Sequence, residues 1–450
     1  MSSSQPPRPL ATHFVPRIFA TWWPLAASWL LMGAELPAVS AAVARLPDPK
    51  IHLAAYGGIV FPLAMIIESP IIMLLSASTA LSKDWASYRK IYRFMMVVSA
   101  ALTVLHALIA FTPLYYLLVH TLFGPPAEII EPGRVGLMIM LPWTWTIAYR
   151  RFHQGVLIRF GHSRTVGVGT IVRLSSNIVT LLVGYLLHLP GIVAAASAVA
   201  VGVTAEAVYA GLVVRPVLKN ELRFAPRVEP PLTLRSFLAF YFPLVMTSLI
   251  SLLATPLVSA ALSRMPQAID SLAAWSPLTG LIFMFRSLGT AYNEVVVAMM
   301  DERGSFASLR RFAIAIAAAT TLALLVFVST PLARFWFDQV AALQGDLSNL
   351  AVLALWLALP LPLLSVLQSW YQGSIMYGRK TRGITEAVVL YLGSSVLILG
   401  GGVLWGQVVG LYVGMVGILT SQLAQTFWLW LRSRSVLRQV EQRDLQGMGL

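Results

Sequence analysis

The chain has 450 residues, 58% of them hydrophobic and 11% charged, and a mean hydropathy of +0.76. A soluble domain carries roughly 25% charged residues, so the composition excludes an ordinary soluble protein. The absence of cysteine excludes disulfides and thiolate metal sites, and the formal charge of +14 is dispersed in short clusters rather than runs, which argues against nucleic acid.

A membrane-crossing helix needs ~20 apolar residues, and twelve such stretches follow one another along the chain. A Pro/Ser-rich tail, 1–16, precedes them. The spans are predicted at 17–45, 51–81, 91–120, 134–160, 165–188, 191–216, 234–264, 271–300, 311–337, 348–377, 383–405 and 408–431. The first is far longer than a signal-peptide core and reads as a retained helix. Several are nearer 30 residues than 20, which implies tilt or kinks. Pro24, Pro37, Pro62 and Pro70 fall inside apolar segments, where neighbouring helices can satisfy the freed carbonyls. Residues 217–233, with Lys219, Glu221, Arg223, Arg227, Glu229 and three prolines, read as a linker. The organisation expected is an N-lobe at 17–216, a C-lobe at 234–432 and a tail at 433–450.

Of the 32 lysines and arginines, 26 fall in the N-terminus, alternate loops and the C-terminus. The opposite loops hold Arg45, Lys50, Arg134, Arg264 and Arg334, and Arg286 lies mid-span. By the positive-inside rule both termini are cytoplasmic, in a bacterial-type inner membrane. An internal repeat runs through the whole chain. Residues 37–47, PAVSAAVARLP, match 256–266, PLVSAALSRMP, at an offset of 219. Pro24-Leu25 matches Pro243-Leu244, and Leu53-Ala54-Ala55-Tyr56 matches Leu272-Ala273-Ala274-Trp275, at the same offset. Thr112-Pro113-Leu114 matches Thr330-Pro331-Leu332, and Gln154-Gly155 matches Gln372-Gly373, at 218. The fold expected is therefore an all-α integral membrane protein. Its twelve helices form two six-helix bundles related by a pseudo-two-fold along the membrane normal, with a cavity between them.

This 6+6 duplication resembles the MOP flippase superfamily, which includes the multidrug and toxin extrusion (MATE) transporters. Trp22-Trp23-Pro24-Leu25-Ala26, Leu53-Ala54-Ala55-Tyr56-Gly57 and Pro70 are most similar to the progressive ankylosis branch. The resemblance implies a secondary transporter working by alternating access. The ankylosis branch implies export of organic anions. MATE proteins imply exchange of organic cations for H⁺ or Na⁺.

No Walker A, HExxH or GxSxG motif is present, and no enzyme activity or cofactor is expected; H⁺ or Na⁺ is the coupling ion expected. Ionisable groups inside the bilayer are costly and are functional candidates by default. The repeat serves as a control, because scaffold residues should recur in both halves. Glu35, ~15 Å deep from Arg45 at 1.5 Å per residue, has Ala254 as its mate. It reads either as an ion-coupling carboxylate or as one hydrogen-bonded to a neighbouring helix. Glu68 has Ser287 as its mate, beside Arg286. Glu68 and Arg286 are expected at similar depth on facing helices, as substrate contacts or a gate pair, or else as a permanent ion pair. Arg286, Thr290, Asn293 and Glu294 share one helical face and are the cavity-lining candidates, although Glu294 sits near the surface. Glu206 matches Gln425 and reads as structural. Arg173 is expected to snorkel to headgroups rather than to bind, Arg150 and Arg151 to meet lipid phosphates rather than to line a cytoplasmic vestibule, and His106 to be a bonded core residue. Trp143, Trp145, Trp370 and Tyr371 read as packing or interfacial anchors rather than as a platform for a ring-bearing substrate.

The function expected is an alternating-access exporter or antiporter of small organic ions, favouring anions. Glu35 and Glu68 would serve in coupling, and Glu68, Arg286, Thr290, Asn293 and Glu294 in binding. The competing readings are a MATE-type organic cation exporter, a flippase of a lipid-linked anionic precursor, and a scaffold. The partners expected are the small organic ion and membrane lipids, with no nucleic acid, and the protein is expected to be a monomer.

Overall fold

The computed structural model describes residues 11–302, 304–343, 345–378 and 382–447, and every regular element among them is helical. Six helical passages form the first half: α1 (Val15–Val43), α2 (Pro49–Leu81), α3 (Trp85–Phe111), α4 (Ile130–Ile139 continued by Leu141–Arg159), α5 (Ser163–Leu186) and α6 (Gly191–Phe224). The second half repeats them: α7 (Leu234–Leu262), α8 (Ala268–Met299), α9 (Ser305–Ser329), α10 (Asp346–Leu357 continued by Leu361–Tyr377), α11 (Arg382–Trp405) and α12 (Gly410–Gly447). Among the described residues nine are long and apolar enough to cross a bilayer, and α10, bent by 43°, makes a tenth. The other two are α4, with Arg150 and Arg151 in its interior, and α12, which runs on into a charged end. With an even number of passages, both ends of the chain emerge on one face, here the terminal face; the other is the distal face.

The duplication extends to backbone irregularities. α1 breaks at Ala34 ahead of Pro37, and α7 at Leu253 ahead of Pro256. α4 breaks at Met140 and α10 around Ala358, each just before a proline that cannot donate to the preceding turn. Asp48 (φ 49°) and Gln267 (φ 53°), one repeat apart, both adopt the left-handed conformation that starts α2 and α8. The Gln-Gly motif marks close helix contact in each half. A Cβ on Gly155 would lie 2.5 Å from the Leu75 carbonyl, and one on Gly373 2.7 Å from Val296.

Four boundaries differ from the sequence expectation. The spans at 91–120 and 311–337 are each divided. Thr112 and Thr330 are extended before Pro113 and Pro331, so α3 and α9 end there and short helices follow at Leu114–Phe123 and 332–340. The linker is shorter than 217–233, because α6 and its last turn reach Phe224. The tail expected at 433–450 is helical to Gly447. Its Asp444 accepts from the Phe306 N–H (3.1 Å), and Arg443 donates to the Met300, Asp301 and Glu302 carbonyls (3.1 Å each). Those groups are the unsatisfied ends of α9 and α8, so the tail caps both. Residues 1–10 and 448–450 lie outside the described residues.

The first halves of α1 and α7 pack across the lobe boundary. Ile18, Trp22 and Ala26 of α1 join a core with Tyr292, Val296 and Leu309, and Trp22 Nε1 donates to the Leu288 carbonyl (2.9 Å). Reciprocally, Tyr241 of α7 bonds the Pro70 carbonyl of α2, and Phe237 packs edge-on to Phe94 of α3.

Candidate functional site

Two tiers of reciprocal contacts close the lobes together on the distal side. Arg45, after α1, donates to the Gln339 and Val340 carbonyls (2.8 Å to Val340) and to Ala41 of its own helix (2.7 Å). Arg264, one repeat later, donates to the Thr121, Leu122 and Phe123 carbonyls (3.3, 3.2 and 2.7 Å) and to Ala260 (2.7 Å). Each guanidinium thus clasps the C-terminal carbonyls of the other lobe's short helix, where the helix dipole favours a cation. Lys50 and Asp270, at the starts of α2 and α8, add an ion pair at 2.6 Å. Deeper, Ser40 bonds Ser276 (3.3 Å), and Ser259 donates to the Gly57 carbonyl (3.4 Å). Positions 40 and 259 are one repeat apart, as are 57 and 276.

Below this seal lies an N-lobe chamber of about 330 Å³, bounded by Glu35, Glu68, Arg150, Arg151, Arg173 and Trp143 among others. α4 contributes Arg150 and Arg151, α5 Arg173, α1 Glu35 and α2 Glu68. Glu206 of α6, 1% exposed, binds Arg150 directly, accepts from Gln154 (2.9 Å) and lies 3.7 Å from Arg173. Glu35 pairs with Arg173 (3.3 Å) and accepts from Asn177 (2.6 Å). Gly202 makes room for that amide, since a Cβ there would sit 1.5 Å from Asn177 Oδ1. Two arginines and two glutamates therefore compensate one another. Arg151 and Glu68 are left over. Arg151 Nε has no hydrogen-bond partner, and its guanidinium forms no ion pair among the described residues. Glu68 is fully buried, and neither carboxyl oxygen has a hydrogen-bond partner among the described residues.

A second chamber, about 240 Å³, lies on the C-lobe side and includes Thr255, Ser276, Thr279, Arg286 and Tyr391 in its wall. Leu36, Tyr56, Phe61 and Phe283 line both chambers and form the partition between them. Arg286 donates from Nε to Ser365 (2.9 Å) and forms no ion pair among the described residues.

The structure separates residues that the sequence grouped. Glu68 and Arg286 do not pair; Glu68 faces α4 and Arg286 faces α10, in different chambers. The polar stripe of α8 also divides. Thr290 bonds the Arg286 carbonyl one turn back (3.1 Å), Asn293 donates to Gln372 (3.3 Å), and Glu294 is exposed. Only Arg286 of the four lines a chamber. Conversely, Arg150, Arg151 and Arg173, expected at lipid headgroups, are inside the N-lobe. Their placement on the terminal side of α4 and α5 suggested the membrane surface. The overlooked signal was the demand of Glu35 and Glu206 for buried counter-charges. Trp143 lines the N-lobe chamber, whereas Trp370 and Tyr371 line an outer groove with Arg310. His106 bonds Thr144 (2.8 Å) and the Leu137 carbonyl (2.9 Å) in the core, as expected.

The C-lobe carries an uncharged counterpart of the ionic network. Arg150 is replaced by Gln368 and Glu206 by Gln425. Gln368 bonds Gln422 and Thr426 (2.9 Å to Thr426). Where Asn177 meets Gly202, Ser395 donates to Ser421 (2.8 Å).

No protein-family model and no curated protein matches the chain. Solved structures do. An inward-facing multidrug-resistance MATE-family transporter of the MOP superfamily aligns over 92% of this chain and 98% of its own, at 17% identity and a TM-score of 0.67. The outward-facing conformation of a transporter so described aligns over 96% and 99%, at 16% identity and 0.56. A MOP-superfamily transporter from Pyrococcus furiosus, whose reversed pocket polarity suggests a different function, aligns over 96% and 99%, at 16% identity and 0.57. The chain thus has the twelve-helix, two-bundle membrane fold of MATE-family transporters of the MOP superfamily.

Proposed function

We propose that this protein is an alternating-access secondary transporter of small organic anions, with its termini in the cytoplasm and its distal face closed. The observation that carries the anion reading is the pair Arg151 and Arg286. Each guanidinium lines one of two adjoining chambers between the lobes and forms no ion pair with a carboxylate among the described residues. Buried charges are paired, so a substrate anion is the natural partner for both. The reciprocal clasps support alternating access, because they are polar, solvated at their rims and separable without unpacking either lobe. The better superposition on an inward-facing transporter agrees with closure on the distal side. The likeness of helices 1 and 2 to ankylosis proteins points toward anions as well.

The chamber volumes favour a small substrate. Drug-sized ligand pockets run from ~300 to 1,000 Å³, and neither chamber by itself accommodates a lipid-linked oligosaccharide. Glu68 with the rings of Tyr56, Phe61 and Phe283 favours a second reading, a cation exporter of MATE type. Thermal stabilisation of the purified protein separates the two. Mono- and dicarboxylates or phosphate monoesters should raise Tm, and Arg151→Gln or Arg286→Gln should remove the effect. Stabilisation by quaternary ammonium ions, unaffected by either substitution, would establish the cation reading instead.

A further inference from the structure

We infer that the substrate anion and one proton occupy the N-lobe chamber together, the proton on Glu68 and the anion on Arg151. This rests on the anion reading above and states how the same site is coupled. Arg150, Arg173, Glu35 and Glu206 form a closed set of two cations and two carboxylates. The remaining charged pair in that chamber is Arg151 and Glu68, and no hydrogen bond or ion pair joins them. An ionised Glu68 supplies, through the low-dielectric chamber, the negative charge that a ligand would otherwise bring to Arg151. Glu68 and the substrate therefore compete for one guanidinium. A proton taken from solution onto the Glu68 carboxylate removes the competitor. It also turns a bare acceptor into a group with an O–H to donate.

The other groups around Glu68 do not substitute for it. On α4, Arg150 is held by Glu206, and His153 is turned to the Tyr149 carbonyl and the Tyr92 ring of α3. Glu35 of α1 and Arg173 of α5 hold each other, and Tyr241 of α7 is bonded to the Pro70 carbonyl. Tyr56, on the same helix as Glu68, is neutral as a phenol. The repeat confines the device to one lobe, because Glu68 corresponds to Ser287 and Arg151 to Ser369. Arg286 therefore binds its anionic group without a proton. Anion and proton consequently travel as co-substrates, in place of the exchange expected from the sequence.

The test uses the purified full chain with benzoate and ethane-1,2-disulfonate as probes, both fully ionised over the range, titrated calorimetrically from pH 5.5 to 7.5. Repeating each titration in buffers of different ionisation enthalpy counts protons. Binding should tighten as pH falls, by up to about tenfold per unit for one linked proton, with net proton uptake on binding. Glu68→Gln should bind at the low-pH affinity throughout and take up none. Anion binding that releases protons, or that takes up none in the unmodified protein, overturns co-binding and leaves the anion reading standing. Failure of both anions to bind, with tetraethylammonium binding and releasing protons, overturns both.

Discussion

Arg150 and Glu206 share a buried bond at positions where the C-lobe has Gln368 and Gln425. The repeat therefore supplies its own control for what that charge is worth. Removing one member of a buried pair typically costs ~3–5 kcal/mol. Arg150→Gln alone should lower Tm sharply, and adding Glu206→Gln should restore most of the loss, because the double variant removes both buried charges together and leaves neutral amides at the positions where the other lobe also has them. No recovery in calorimetric or dye-based melting would show that the network is more than a paired charge. Asp84 gives a prediction with pH. It sits in the α2–α3 turn, caps α3 through Ser87 N–H (2.7 Å) and holds the linker through Val228 N–H (2.9 Å). Burial works against its charge. The bonds from Val228 and Ser87 and the nearby Arg227 outweigh it and hold the carboxyl below the usual aspartate range. That contribution is complete above the unfolded-state value and is lost as pH falls through the folded one. Melting curves between pH 6 and 3 should show an acid loss of stability that Asp84→Asn reduces. An identical acid slope in the variant would remove Asp84 from that role.

The elements show why the repeat was more legible than the helix boundaries. Pro113 and Pro331 stand at matched positions in the sequence, but a proline between apolar residues is compatible with a kink or with a stop. The extended Thr before each one decides for a stop. The ends of α12 were misread for a different reason. Its last turns are charged, and their structural role comes from capping α8 and α9 rather than from burying apolar surface. Asp444→Ala should lower Tm by an amount typical of a lost cap, ~1 kcal/mol, read by denaturation in detergent. The clasps could not be read from the sequence because their acceptors are backbone carbonyls; the visible trace was the recurrence of Arg45 and Arg264 on a face with few other cations. Arg45→Ala with Arg264→Ala should open that face. The chain contains no cysteine, so spin labels on Thr121→Cys and Gln339→Cys report only on this gap. Loss of each clasp should shift the open population roughly tenfold, about the worth of one charged hydrogen bond, and the double change should broaden the distance distribution to longer values. An unchanged distribution would mean that the serine tier and the crossed-over helices hold the closure alone.

At the scale of the molecule, two lobes share a fold and differ in charge. Architecture and repeat were legible because they recur in the sequence: matched prolines, matched serines and the matched Gln-Gly motif. The site was legible only in part. Comparing halves selected Glu35, Glu68 and Arg286 as the unmatched charges, and all three line the chambers. It ranked Arg150, Arg151 and Arg173 as headgroup contacts over cavity residues, because a count of basic residues near helix ends does not distinguish a side chain turned to headgroups from one turned inward. With those three included, the cavity changes from one central cation to four guanidiniums, two of them bonded to no carboxylate among the described residues, and the case for an anionic substrate rests on that change. Counterflow in proteoliposomes tests it most directly. Vesicles preloaded with a small dicarboxylate should accumulate the labelled compound, and Arg151→Gln and Arg286→Gln should each abolish accumulation while preserving folded protein. Counterflow of organic cations instead, indifferent to both substitutions, would contradict the account.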